Sequence, residues 1–441
     1  MSTIHRGLTV TVTVAQEKLE EVNVLLESLR EELVTRRRLY QEKIPSTFFI
    51  SWLTLPAQKY AAEELLPARI ILLTSYVGRR NNHIQELAVF LSDQIDKVFS
   101  FSEEYPAGEM DEQSIVRFLK RKSIPQTFYS GFKFIRTEDV AHERLLKAAI
   151  FDFLTRQKQE AGFVQQSPLQ IKEKIEAFVN SRDDLREASK RISSLQKDKV
   201  AMLVPLGIFG VVMLTSLVFL VLGIFWDSIV FQIGAWILPV FLFILAGLFV
   251  WLRINENNPH IANEEVSDDW IREIVLRERN RVVNEMTVIA PLKKGLVRRV
   301  FLAVTLRLIS LVGYFAYIPT VHTARWLQMD RGKRLVFIAN FDNISEAYAH
   351  DFVDSDNRSR NMAVIFSHAA GFPATKWLVK KGYNHRSEYM KGVRAHQKIT
   401  QFWYAFNTDL SVENLKTNRK VKEGLFKKME DKEIRQWLLN I

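Results

Sequence analysis

The chain has 441 residues, 47% hydrophobic and 25% charged, which suffices for more than one packed core. Cysteine is absent, so disulfide frameworks, thiolate metal sites, iron–sulfur clusters and cysteine nucleophiles are excluded. The formal charge of +11 comes from basic residues that crowd near apolar segments instead of forming an isolated arm, which points to a lipid bilayer as partner and away from nucleic acid.

The N-terminal MSTIHRGLTVTV lacks the basic and long apolar regions of a signal peptide, so it is expected to stay on the mature protein. Hydrophobic periodicity then predicts strand, long helix, strand, strand, helical region, strand and helix over 8–14, 16–38, 47–55, 69–77, 81–121, 126–135 and 137–158. In the long helix Leu19, Val22, Leu26, Leu29 and Leu33 keep the spacing of one buried face. From about Gln165 to Val200, a charged stretch with apolar residues at helical spacing reads as a stalk leading into a membrane.

No residue is charged from Ala201 to Trp226 or from Ser228 to Leu252, and each run exceeds the ~20 residues that cross a bilayer core as a helix. With only Asp227 between them, the pair predicts a transmembrane helical hairpin, in which Pro205 and Pro239 are tolerated. Neither span holds an ionisable group that would mark an ion pathway. Arg191, Lys197 and Lys199 precede the pair and Arg253 follows it, so the expectation is an integral membrane protein with two spans and both termini cytoplasmic.

Beyond the spans, the first half is echoed. IPSTFFISW at 44–52 matches IPTVHTARW at 318–326, and ARIILLTSYVG from Ala68 falls on KRLVFIANFDN from Lys333. LTVTVTV from Leu8 lies over MTVIAPL from Met286, and Gln126 and Tyr129 match Gln401 and Tyr404. Matches in one order at a nearly constant offset predict a duplicated βαββαβ, ferredoxin-like unit. Such a sheet covers only one face with its own helices, and a second copy can cover the other. The predicted fold is therefore α+β, with two ferredoxin-like repeats at 1–160 and 285–441 forming an intramolecular dimeric α/β barrel. Between them lie the helical stalk 161–200, the hairpin 201–252 and a linker helix 253–284.

The second half, through IPTVHTARW, RLVFIANFD, SHAAGFP, KWLVKKG, RAHQKITQFWYAF and ENLKTNRKVKEGL, resembles bacterial proteins grouped with the dimeric α/β-barrel superfamily. That superfamily includes dye-decolourising peroxidases and chlorite dismutases, many of which bind haem. The resemblance covers about residues 285–426, is one of fold, and implies haem as a candidate cofactor. The GxxDG motif that supplies the distal aspartate of the dye-decolourising peroxidases is absent. The proximal histidine and distal arginine of the chlorite dismutases cannot be assigned here by motif.

His322 and Arg325 are the candidate catalytic residues, because the first half holds Phe48 and Ser51 at those places; the alternatives are a hydrogen-bonded structural histidine and an arginine in a structural ion pair. Strand alternation puts His322 with Ala324 and Trp326 on one face and Arg325 with Val321 and Thr323 on the other, so the two are not expected to project side by side. His368 and His396, on or at the ends of predicted helices, are candidate haem ligands or carbonyl caps. Tyr404, in an aromatic strand with Trp403 and Phe406, is a candidate cofactor contact or a core residue. Asp342 and Asn343 are expected to end a strand and form its turn. Phosphate-loop, dinucleotide, zincin and nucleophile-elbow motifs are absent.

Basic clusters at Lys293, Lys294, Arg298 and Arg299, and at Lys416, Arg419, Lys420, Lys422, Lys427 and Lys428, suit either a solvated helical face or an anionic lipid surface. The first leads into VFLAVTLRLISLVGYFAYI, which Arg307 interrupts and which could pack on its own sheet or rest in the membrane interface. The functional expectation is a membrane-anchored, cytoplasm-facing module that binds a ligand, a protein partner or a second copy of itself. The alternative is a haem-dependent, peroxidase-like redox enzyme with a single site in the second half.

Overall fold

The computed structural model describes residues 3–441 except 61–63, 107, 109, 160–162, 191–194, 226–228, 256–265, 280, 313–317, 346, 349–363, 374 and 376–385. Runs rich in Val, Ile, Thr and aromatic residues form β1 (His5–Thr13), β2 (Thr47–Leu55) and β5 (Arg69–Val77), as β-branched and aromatic side chains fit a pleated surface. The short hairpin β3 (Gln58–Tyr60) and β4 (Glu64–Leu66) stands apart. In the second half the strands are β7 (Val283–Pro291), β8 (Val321–Met329) and β9 (Arg334–Asp342). Short strands β6 (Thr127–Ser130), β10 (Gln397–Lys398) and β11 (Phe402–Ala405) complete two antiparallel sheets, ordered β1-β5-β2-β11 and β10-β7-β9-β8-β6.

The expected pair of ferredoxin-like repeats closing an α/β barrel is not what the chain forms. In that pattern the fourth strand of each unit returns beside its own first strand. Here Val10 bridges Ser123, and Ile124 N–H donates to Thr9 O at 2.9 Å. Pro125 then has no N–H to continue the ladder. The chain crosses over, and β6 pairs with β8 of the other sheet, Tyr129 opposite Ala324. Reciprocally, β10 runs briefly along β7 before β11 pairs with β2, Tyr404 opposite Ile50. Each half thus donates an edge strand to the other's sheet, and neither sheet is complete without the other half.

Helices cover the outer face of each sheet. On the first lie α1 (Leu19–Lys43), α2 (Arg80–Phe90), α3 (Ser92–Phe99) and α4 (Glu112–Lys122), which bury Val22, Leu26, Leu87, Ile95 and Phe118 against Val10, Ile50, Trp52 and Leu72. The second is covered in part by α11 (Leu296–Val312) and α12 (Arg386–His396), through Leu302, Leu306, Tyr389 and Val393. The inner faces meet: Leu53, Leu55, Ile71 and Leu73 of one sheet pack on Ile289, Leu327, Val336 and Ile338 of the other.

The expected stalk is helical but docked. α6 (Pro168–Ser181) and α7 (Asp183–Ser189) share a core with α5 (Thr137–Gln157), α13 (Val412–Leu425) and α14 (Asp431–Leu438), through Leu146, Ile150, Ile175, Val179, Leu185, Val421, Leu425 and Trp437.

The expected two-span transmembrane hairpin is also corrected. Among the described residues one segment, Gly234–Ile254 of α9 (Ile229–Asn255), is long and apolar enough to cross a membrane, with a mean hydropathy of 2.5. Only 11% of its most apolar window is buried, so it is not a core helix. Among the described residues of α8 (Leu195–Phe225) the corresponding apolar segment is Gly207–Leu222, short of the ~20 residues that a bilayer core demands. Asp227 lies outside the described residues. The two helices pack closely at Gly234, where a Cβ would stand 1.9 Å from Phe219 Cδ2. Buried Ser216 donates its hydroxyl to Gly234 O at 3.0 Å and accepts from Leu238 N–H at 3.0 Å. It thereby bridges an i, i−4 pair of the helix just before Pro239, where the ring opposes regular helical hydrogen bonding.

Candidate functional site

The space between the sheets holds two apolar clusters, one around Leu53 and Ile338 and one around Phe49 and Phe132, together with buried polar side chains. Arg325 is one of these buried polar side chains. Its Nη2 donates to Thr74 O at 2.8 Å and Ser75 Oγ at 2.6 Å, and its Nη1 donates to Leu8 O at 3.1 Å and Thr9 Oγ1 at 3.3 Å. Burial pulls the guanidinium down to about 10 against the pull of Glu285 upward. Arg325 is a cross-sheet clamp whose donors are spent on the protein itself.

His322 also turns inward, against the alternation expected. A register shift between Val321 and Thr323, a β-bulge, re-aims the side chain. Its ring lies edge-on to Phe49 and Phe132 of the inter-sheet cluster, and its Nε2 is 2.7 Å from Asp342 Oδ1. Asp342 ends β9, as the sequence suggests, and its Oδ2 accepts from Val412 N–H at the start of α13, at 3.0 Å. Asn343 takes the left-handed backbone that begins the turn, with φ 71°.

The remaining candidates are scattered. His368 is buried near Phe301, and no described residue hydrogen-bonds its ring; burial, reinforced by Arg298 and Lys293, pulls its pKa down to about 3. His396 Nε2 is 3.1 Å from Ala370 O, as a carbonyl cap would be. Tyr404 packs beside Tyr40 on the opposite, outer face of the first sheet. In the basic helical set, Arg419 and Lys422 pair with Asp139 and Glu143 between α5 and α13 instead of facing solvent. None of these histidines lines the three described clefts, and among the described residues there is no cluster of three metal-ligating side chains.

One of those clefts, of about 450 Å³, opens between α1, α10 (Asp268–Glu278) and the β7–β10 edge of the second sheet. Arg30, Val34 and Arg37 line it from α1, where positions seven apart return to one face. Arg277 and Glu278 end α10, and Arg279 and Arg281 follow on the way into β7. Ser267 caps α10 by accepting from Trp270 N–H at 3.3 Å, and Arg277 reaches across to Glu27 of α1 at 3.2 Å, holding the walls together. Lys398 and Thr400 supply the remaining edge.

Glu285 and Trp403 form the floor. Ser51 donates to Glu285 Oε2 at 2.8 Å, and Thr400 and Thr287 donate to its Oε1 at 3.0 and 3.3 Å. Burial raises Glu285 to about 7 despite those three hydroxyls and Arg325. Trp403 Nε1 donates to Asn340 Oδ1 at 2.9 Å, and Arg281 stands over its ring, 5.6 Å from the centroid.

The cleft is electrostatically unbalanced. Arg30 and Arg277 share carboxylate partners, but among the described residues no carboxylate lies within ion-pair distance of Arg37, Arg279, Arg281 or Lys398. Burial lowers the pKa of Arg281, and its neighbours Arg37 and Arg30 lower it further. These residues belong to no contiguous motif. The available signal was a carboxylate, Glu285, the one charged residue of its strand, on the inward-facing set Val283, Glu285, Thr287 and Ile289. Compared with known proteins, the chain matches no family model, no curated sequence and no solved structure.

Proposed function

We propose that the chain is a membrane-attached binding module whose cleft takes a small anionic ligand bearing phosphate or carboxylate groups. The observation behind this reading is the group of cations, Arg37 and Arg281 foremost, brought together at the cleft with no carboxylate partner among the described residues. Arginine's planar fork suits such oxyanions bidentately, and the Trp403 ring supports the guanidinium that would hold one. Attachment is by Gly234–Ile254 of α9. Arg253 near its end, with Lys294 and Arg307 exposed on the body, supports reading that body as cytoplasm-facing. Calorimetric titration of the detergent-solubilised full chain with inorganic phosphate, pyrophosphate and citrate tests the reading. Saturable binding of one of these that Arg281→Ala removes supports it, and absence of binding by all three refutes it.

A haem-dependent redox site is the second reading, favoured by the buried ring of His368, to which no described residue hydrogen-bonds. A Soret band in protein from haem-replete cells, lost in His368→Ala, supports it. A bare spectrum unchanged by added haemin ends it.

A further inference from the structure

Helix α11 lies on the second sheet with one face committed. Buried Leu302 and Leu306 join the core, and Leu306 O accepts from Thr127 Oγ1 at 2.9 Å, which fixes the helix's rotation. On its other side Leu296, Val300, Val304 and Leu308, four residues apart in series, are exposed at 67%, 43%, 37% and 51%. A soluble surface has no use for a row of four aliphatic side chains. Two features identify what covers it. α11 packs against α9, the helix proposed above to attach the chain to the membrane, much of whose apolar surface is exposed. Its surroundings are basic: Lys294, Arg307 and Arg331 are exposed, and Arg299 Nη1 donates to Arg331 O at 3.2 Å.

We infer that α11 is an interfacial helix, which seats Leu296, Val300, Val304 and Leu308 in the headgroup–acyl boundary of an anionic bilayer while its arginines and lysine meet lipid phosphates. This rests on the membrane attachment of α9 proposed above and is independent of the cleft. An apolar face of this kind buries shallowly, and long basic side chains reach from it to the headgroups. Arg307, within the apolar arc, keeps its charge at the surface by the same means. The body is thereby held against the membrane in one orientation instead of swinging on α9.

The chain has no cysteine, so one introduced thiol is a unique label site. Full-length Val300→Cys, Val304→Cys and Leu308→Cys, each carrying an environment-sensitive fluorophore, would be placed in nanodiscs of mixed phosphatidylglycerol and phosphatidylcholine. Asn82→Cys, exposed on α2, is the aqueous control, and Phe243→Cys on α9 reports insertion. The inference predicts blue-shifted emission at positions 300, 304 and 308, loss of iodide quenching, and gain of quenching by a lipid-borne spin label. Protection should weaken in phosphatidylcholine alone. Labels on α11 as open to iodide as the Asn82→Cys label, with the Phe243→Cys label still in lipid, overturn it. So does protection from iodide and lipid quencher together with cross-linked dimers, which would make the occupant a second copy. An iodide-accessible Phe243→Cys label would instead count against the membrane attachment itself.

Discussion

The guanidinium of Arg281 stands 5.6 Å above the centre of the Trp403 ring, and that ring is fixed from behind by a 2.9 Å hydrogen bond from its Nε1 to Asn340. A cation held on a rigid aromatic face loses little freedom on meeting an anion. A hydrogen bond to a charged group contributes about 1.5–3 kcal/mol, so Arg281→Ala should weaken anion binding about tenfold to a hundredfold. Arg37→Ala should act similarly, and Trp403→Phe less severely. Calorimetry with the best-binding anion measures all three. A variant that lowers affinity no more than an exposed control such as Arg38→Ala would remove that residue from the site.

Binding should depend on pH through Glu285. The other charged groups around the cleft are Arg30, Glu31 and Arg37 on α1, Arg277 and Glu278 on α10, and Arg279, Arg281, Lys398 and the buried Arg325. Below about 7 the Glu285 carboxyl is neutral and the cleft is at its most positive; above it, a negative charge appears on the floor. Anion affinity should therefore fall as pH rises through 7. In Glu285→Gln that step should vanish, with affinity held near the low-pH value. A wild-type step that survives in Glu285→Gln would assign it to the ligand's own titration.

The same group sets a stability trend. Glu285 titrates at about 7 in the folded chain and near its ordinary 4.5 when unfolded. Between those values the folded state holds a proton that the unfolded state has released, so stability falls as pH rises across the window and is level above it. Comparing Glu285→Gln with wild type isolates this term from other buried carboxyls such as Glu143. The variant's relative unfolding temperature should climb from pH 4.5 to 7 and then plateau. A constant difference would show that Glu285 is not perturbed.

Local elements were readable in the sequence, whereas partnership between them was not. The strands at 47–55 and 69–77 and the buried stripe of α1 follow from periodicity alone. The exchange of β6 and β11 depends on long-range pairing, for which Pro125 is a local hint without a destination. His322 shows the same limit. Strict alternation gives it the wrong face because the bulge after Val321 is a property of two strands together. The cleft combines residues from α1, α10, β7 and 397–403, far apart in the chain, so no spacing rule could have gathered them.

Arg325 is expected to matter for folding. Its guanidinium satisfies the carbonyls of Leu8 and Thr74 and the hydroxyls of Thr9 and Ser75, all in the opposite sheet. Arg325→Ala leaves several buried acceptors unpaired beside a void, at a cost of about 3 kcal/mol or more. Thermal unfolding in detergent should show a large drop. An unchanged midpoint would mean that water replaces the guanidinium and that the polar layer is wet.

The contact between Gly234 and Phe219 allows a sharper test, because a second substitution can undo the first. At Gly234 a Cβ would meet Phe219 Cδ2 at 1.9 Å, far inside van der Waals contact, so Gly234→Ala must push α8 and α9 apart or expel the ring. Overpacking of this kind costs about 1–3 kcal/mol. The separation would also strain the bridge from Ser216 to Gly234 O and Leu238 N–H, on which the helix relies just before Pro239. Phe219→Ala removes the obstructing ring. In the double variant Gly234→Ala/Phe219→Ala the two costs should therefore sum to less than their separate values, a coupling that residues out of contact do not show. Unfolding midpoints of the four proteins in one detergent give the cycle. Simple additivity would mean that α8 and α9 do not pack at this point.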